Sequence, residues 1–260
     1  MIDSHCHLDF ESIAENLDDI IINSKKNKLT SILSINTHPD KFNNHIKLIS
    51  KYDGIYISYG LHPCNVNSMD QGSILDFDKY CSNPIVIGIG ETGIDLYHSK
   101  NFLNEQIFIF EKHIEASLKH DLPLIIHQRN SEKEIIDILK NYLNLNIKVV
   151  FHCFTGSPNL VKFCLDNDFY ISLSGIVTFN NADELRKSIK NFPLRLILIE
   201  TDSPFLAPVP MRGKTNEPSY VKYIAEYLAD YFDLELNQFI QIIDNNFFNL
   251  FNKSKRDNQL

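Results

Sequence analysis

The chain has 260 residues, 43% of them hydrophobic and 22% charged, with a formal net charge of -8. That is enough chain to bury a large core, and its acidic balance excludes a general nucleic-acid coat, though not local handling of a nucleic-acid end. No run of about 18 apolar residues is present, so no membrane span is expected. The N-terminus lacks a basic region followed by an apolar run, so no signal peptide is expected. The five cysteines, Cys6, Cys64, Cys81, Cys153 and Cys164, are scattered and form no CxxC pair. They read as reduced thiols of a cytoplasmic protein.

In chain order, the first element is a short strand over 1–5 running into Asp3-Ser4-His5-Cys6-His7-Leu8-Asp9. Residues two apart on a strand share a face. His5 and His7 therefore stand side by side, suited to share a cation through neutral nitrogens. The plainer alternative is a polar N-terminus with two histidines by chance. Further apolar runs predict strands over 31–36, 55–60, 85–90, 123–127, 147–152, 169–174 and 195–200. Between them lie amphipathic segments. Over 102–120, Leu103, Ile107, Phe110, Ile114 and Leu118 recur at spacings of three and four, and 132–143 carries Ile135, Ile136, Leu139 and Leu143. Both patterns predict helices. The tail 217–251 reads as two closing helices.

Eight strands alternating with helices predict an α/β fold, a (β/α)8 TIM barrel filling 1–260 as a single domain. A doubly wound open sheet is the alternative, weakened because no Gly-rich phosphate loop follows the first strand.

The polar residues then fall into place. His5 and His7 close strand 1, His62 follows strand 3, and Glu91 follows strand 4. His127 ends strand 5, His152 ends strand 6, and Glu200 and Asp202 end strand 8. In a barrel those ends converge on one face, where active sites lie. Four of the ten histidines end apolar strands, where an unpaired polar group is costly. His5, His7, Glu91, His127, His152 and Asp202 make a mixed nitrogen and oxygen set sufficient for two divalent ions, with Glu91 as the bridge. Such a pair can activate a water and stabilise the leaving oxygen of a phosphoester. The plainer readings are satisfied core histidines for His127 and His152, a helix cap for Asp202 and a turn-capping carboxylate for Glu91. Glu200 reads as a residue that orients a ligand, and His62 as a substrate contact or a structural turn with Pro63. His38, His45, His98, His113 and His120 read as surface or packing residues. Cys6 and Cys153 adjoin ligands and, on alternating strands, should point away as core filler.

These stretches, with Gly60-Leu61-His62-Pro63, Gly90-Glu91-Thr92-Gly93-Ile94-Asp95, Leu124 to Arg129, Phe151 to Gly156 and Glu200 to Pro208, resemble the TatD family of metal-dependent deoxyribonucleases, within the wider metallo-amidohydrolase barrels. The resemblance covers nearly the whole chain, and 169–179 looks most like the bacterial YcfH branch. It places the family's metal ligands on the same six residues. It implies that His5, His7, Glu91 and Asp202 hold one ion and Glu91, His127 and His152 the other, with Asp202 also taking the proton of the attacking water. His62, Arg129 and Arg212 are the expected phosphate contacts. The implied substrate is DNA, bound end-on and single-stranded, and the expected assembly is a monomer. The metal is Mg²⁺, Mn²⁺ or Zn²⁺. The sequence departs from the family at His127-Gln128-Arg129-Asn130, where an acidic residue often follows the arginine. Two rivals remain open at this point. One is an amidohydrolase-type enzyme for a small ester, lactone or amide; such enzymes commonly bridge their ions with a carbamylated lysine, and here Glu91 stands at that place. The other is a non-catalytic metal-binding scaffold.

Overall fold

The computed structural model describes residues 1–68 and 75–260. Its eight strands are β1 (Ile2–Cys6), β2 (Ser31–Ser34), β3 (Ile55–Tyr59), β4 (Val86–Asp95), β5 (Leu124–Arg129), β6 (Val149–Phe151), β7 (Tyr170–Leu173) and β8 (Ile197–Ile199). All neighbouring pairs are parallel and the order in the sheet is the order in the chain. Helices such as Leu103–His120, Glu132–Leu139 and Pro158–Asp166 lie between the strands. This is the TIM barrel expected from the alternation, and the sequential order rules out the doubly wound sheet, whose strand order reverses. The two tail helices are Val221–Tyr231 and Leu236–Leu250.

The ring is nearly closed, and the seam between β8 and β1 is held by groups just beyond the ladder. Ser4 Oγ donates to the Ile199 carbonyl at 2.9 Å, and the Thr201 N–H donates to Asp3 Oδ1 at 2.9 Å. Above them the Asp202 N–H donates to the His5 carbonyl at 2.9 Å and the His7 N–H to the Ser203 carbonyl at 2.8 Å. The seam therefore docks Asp202 directly against the two N-terminal histidines.

Strand alternation sorts the interior into layers. Ile2, Leu33, Ile87, Ile125, Val150 and Leu198 form an apolar plug inside the barrel, closed by Phe247 and Leu250 of the last helix and Phe251 just after it. Two residues further along the same faces stand Ser4, His127, His152 and Glu200, so the polar layer rests on the plug. The opposite faces, including Ile32, Ile57, Ile126, Phe151 and Ile199, pack under the outer helices.

Two strands run further than their apolar runs suggest. β4 extends to Asp95 and β5 to Arg129, so Glu91 lies within its strand rather than after it, and His127 inside its strand rather than at the end. Glycine is the reason that β4 is hard to see as a strand. Its pairing with β5 shifts register between Ile89 and Thr92, and Gly93 sits at φ 135° with its hypothetical Cβ only 2.1 Å from the His127 carbonyl oxygen. Only glycine permits that approach, which carries Glu91 alongside His127.

Two of the packing histidines are wholly buried. The Leu61 N–H donates to His113 Nε2 at 3.0 Å, and His113 Nδ1 lies 2.7 Å from the Ile109 carbonyl. That pattern requires the neutral ring with its proton on Nδ1. His45 Nε2 lies 2.7 Å from Ser34 Oγ. Burial pushes both imidazoles from 6.5 down to about 4. The unfolded chain therefore takes up these protons first, so the stability they contribute is complete above pH 6.5 and is lost as pH falls toward 4. Each can account for up to roughly 3 kcal/mol over that window. His113→Gln is expected to be less stable at neutral pH yet to lose stability less steeply on acidification, read from urea midpoints across the pH range. Equal acid slopes would contradict the assignment.

Candidate active site

At the C-terminal mouth of the barrel the Glu91 carboxylate divides two groups of imidazoles. Its Oε2 lies 3.5 Å from His5 Nε2 and 3.9 Å from His7 Nε2. Its Oε1 lies 2.7 Å from His152 Nε2, 3.0 Å from His127 Nδ1 and 3.3 Å from His62 Nε2. Asp202 Oδ1 completes the first group, 3.3 Å from His7 Nε2 and 3.8 Å from His5 Nε2. The six residues expected as ligands are thus brought together from β1, β4, β5 and the ends of β6 and β8. His5, His7 and Asp202 offer ligand atoms all within 4.8 Å of one another, as do His62, Glu91 and His127. His62, expected only as a substrate contact or a turn residue, therefore joins the cluster itself. The backbone of Asp202 adopts φ 54°, a left-handed conformation that Asp tolerates better than most residues.

Each imidazole on the β5–β6 side is braced from behind. His127 Nε2 lies 3.0 Å from Asp95 Oδ2, and His152 Nδ1 lies 3.3 Å from Glu200 Oε1. Such a carboxylate fixes tautomer and ring angle and raises ligand basicity. Glu200 stands where the orienting role read from sequence would need it. Asp95 had no role assigned to it, because its partner is 32 residues away in the chain; its place four residues after Glu91 on one strand, on the same pleat face, was the available signal. Asp95→Asn is expected to weaken metal affinity by about 10- to 100-fold, measured by metal titration of the chelator-treated protein. Unchanged affinity would show that His127 is held by packing alone.

The electrostatics fit a cation. Glu91 and Glu200 are buried and Asp202 nearly so, yet among the described residues no lysine or arginine nitrogen lies within 4.0 Å of any of them. Burial pushes the Glu91 carboxyl up, but the imidazoles of His152, His62 and His127 more than reverse this and hold it well below its ordinary value. Burial would likewise push His152 down, and the Glu91 and Glu200 carboxylates instead hold it well above. His5 differs: burial and the stacked His152 ring, 3.9 Å away, push it down. Among the described residues neither His5 nitrogen has a hydrogen-bond partner, nor does His7 Nδ1 or Glu200 Oε2. A buried, neutral, unpartnered imidazole facing carboxylates is costly unless its lone pair has a cation to bind.

The two arginines expected as phosphate contacts rest on aromatic rings. Arg129 rests over the Tyr97 ring at 4.8 Å and Arg212 over the Phe179 ring at 3.9 Å. Among the described residues neither guanidinium is ion-paired with a carboxylate. The mouth also carries Phe205, 49% exposed, packed edge-on to Phe10 and 6.4 Å from the His7 ring. Cys6 is core filler as expected. Cys153 is not: the chain leaves β6 after Phe151, Cys153 turns to φ 44°, and its Sγ lies 3.3 Å from Ser174 Oγ. The left-handed backbone at Cys153 breaks the alternation that still aims His152. His98 lies at the surface as expected, 53% exposed, with its Nδ1 2.9 Å from Asp95 Oδ2.

A parallel (β/α)8 barrel with this histidine and carboxylate set at its mouth is a metal-dependent hydrolase. The family model described as TatD related DNase matches residues 2–252, and the chain belongs to that family. It is 40% identical over 263 residues to an uncharacterized metal-dependent hydrolase of Buchnera aphidicola subsp. Acyrthosiphon pisum, covering 97% of this chain and 99% of that protein. It is 35% identical over 254 residues to the uncharacterized metal-dependent hydrolase YcfH of Escherichia coli, covering 96% and 95%. Among solved structures, YjjV, a TatD homolog from Escherichia coli, superposes with a TM-score of 0.90 at 24% identity, covering 97% of this chain and 98% of that one. Among the described residues no helix is long and apolar enough to cross a membrane.

Proposed function

We propose that this chain is a deoxyribonuclease that removes nucleotides from DNA ends by hydrolysing phosphodiester bonds, working as a single-domain monomer in the cytoplasm. The observation that carries the reading is Glu91, whose two oxygens face two separate groups of ligand atoms. His5, His7, Glu91 and Asp202 would hold one divalent ion, and Glu91, His127 and His152 a second. Such a pair, when bound, supplies Lewis acidity to the phosphoryl oxygens and lowers the pKa of the attacking water. Asp202 accepts that water's proton. Its carboxylate suits the task because the His7 and His152 imidazoles outweigh burial and keep it ionised. His62, 18% exposed beside Glu91, meets the phosphate from the open side. Arg129 and Arg212 lend planar donors to its oxygens. The half-exposed Phe205 ring offers a stacking face for an unpaired base, which favours a single-stranded end.

The test is end-labelled single-stranded DNA incubated with chelator-treated protein, with Mg²⁺, Mn²⁺ or Zn²⁺ restored in turn. Stepwise shortening that returns with metal supports the reading. Intact DNA under every metal would sink it and shift the weight to a small ester, lactone or amide substrate.

A further inference from the structure

A further set of ligand atoms lies beside the mouth cluster. Cys64, on the turn after β3, Asp95, at the end of β4, and His98, in the loop beyond it, offer one ligand atom each, all within 4.8 Å of one another. Asp95 is fully buried and unusually crowded. Its Oδ1 accepts the backbone N–H groups of Tyr97 at 2.9 Å and His98 at 2.6 Å. Its Oδ2 lies 2.9 Å from His98 Nδ1, 3.0 Å from His127 Nε2 and 3.6 Å from Cys64 Sγ. That makes five contacts on a group with about four lone-pair sites. The thiol and imidazole converge on one oxygen from two sides.

We propose that Cys64, Asp95 and His98 form a separate metal site for a thiophilic divalent cation such as Zn²⁺, and that filling it loosens the hold of Asp95 on His127. The dimensions suit tetrahedral zinc. Ordinary Zn–S, Zn–O and Zn–N lengths give ligand edges of about 3.6 Å for sulfur to oxygen and about 3.4 Å for nitrogen to oxygen. The first equals the observed separation of 3.6 Å, and the second needs a small opening of the present 2.9 Å contact. On binding, Cys64 releases its thiol proton to solvent and His98 carries its remaining proton on Nε2, freeing Nδ1 as ligand. The His98 side chain is 53% exposed, so water can complete the shell. Donor chemistry separates the two sites: the mouth cluster holds imidazoles and carboxylates and can take Mg²⁺, Mn²⁺ or Zn²⁺, whereas a thiolate selects against Mg²⁺ and Mn²⁺. A cation on Asp95 Oδ2 competes with His127 Nε2 for the same lone pairs. The consequence for catalysis rests on the nuclease reading above; the site itself does not.

The experiment is a Co²⁺ titration of the full-length, chelator-treated protein, followed by absorption. A sulfur-to-cobalt charge-transfer band saturating with one equivalent is expected in the wild type and in Cys153→Ser. Cys64→Ser should lose the band and bind one Co²⁺ fewer, with an unchanged thermal transition in the metal-free state and the remaining equivalents intact. His98→Asn should shift the band's midpoint at least tenfold. Absence of the band in the wild type, or its survival in Cys64→Ser, would overturn the site. For the coupling, Zn²⁺ added over saturating Mg²⁺ should inhibit wild-type hydrolysis at a concentration at least tenfold lower than for Cys64→Ser. Equal sensitivity would overturn the coupling while leaving the titration result to stand on its own.

Discussion

Glu91→Gln is expected to lower metal-dependent hydrolysis by about 1,000-fold or more, the rate equivalent of roughly 4 kcal/mol of transition-state stabilisation. The argument is geometric. Glu91 Oε2 faces His5 and His7, and Oε1 faces His127, His152 and His62. Glutamine keeps the volume and one carbonyl oxygen but turns the other position into a donor, which cannot meet a cation or an imidazolium. One side of the cluster thus loses its anionic ligand whichever way the amide is turned. The same change should abolish most of the thermal stabilisation that metal confers. A ligand at 100 times its dissociation constant adds about 2.7 kcal/mol, and a variant that binds 100-fold more weakly forfeits nearly all but a few tenths of that. Two measurements therefore travel together, activity and the metal-induced rise in Tm, while the metal-free variant should still fold, because the apolar plug below Glu91 is untouched. Wild-type metal response with activity lost would place Glu91 in proton transfer rather than ligation. Retained activity would remove it from the chemistry altogether.

The ease with which this site can be read from sequence varies residue by residue. His127 and His152 are legible because each extends an apolar run by one alternation, and a polar group aimed along the inner face of a strand has only the barrel mouth to serve. His5 and His7 are legible because residues two apart on a strand share one face. Glu91 was read as following its strand, since three glycines in 88–93 hide a strand that continues to Asp95. Strand propensity measures side-chain packing, and a strand chosen for close backbone approach has little of it. Cys153 failed for the opposite reason: alternation was extended past the last ladder residue of β6. Asp95 offered only its spacing from Glu91, because its significance lies in contacts with His127 and Cys64, which the β3, β4 and β5 neighbourhood creates, and that of His98 lies in its contact with Asp95. Periodicity reports which face a residue occupies, not which residue stands opposite.

Asp202→Asn should separate ligation from proton transfer, and it carries the second large effect. Asparagine retains an oxygen toward His7, tolerates the left-handed backbone at φ 54°, and leaves the Asp202 N–H bonded to the His5 carbonyl. Metal affinity should therefore fall modestly while kcat falls by about 100- to 10,000-fold, the range that positioned general bases supply. The pH profile carries the sharper test. In the wild type, burial pushes the Asp202 carboxyl up, but the His7 hydrogen bond and the charges of His7, His152 and His5 hold it below its ordinary value. The base is then already ionised through neutral pH, so its contribution is present at neutrality and is lost as pH falls through that depressed value. With asparagine no side chain accepts the proton, and solvent hydroxide must replace it. The variant's rate should climb about tenfold per pH unit across the range where the wild type is level. A variant that is slow but equally level would show that Asp202 acts by holding a cation and orienting His7, and the proton acceptor would have to be sought at His62, which stands on the open side of Glu91 with its ring 4.5 Å from His127.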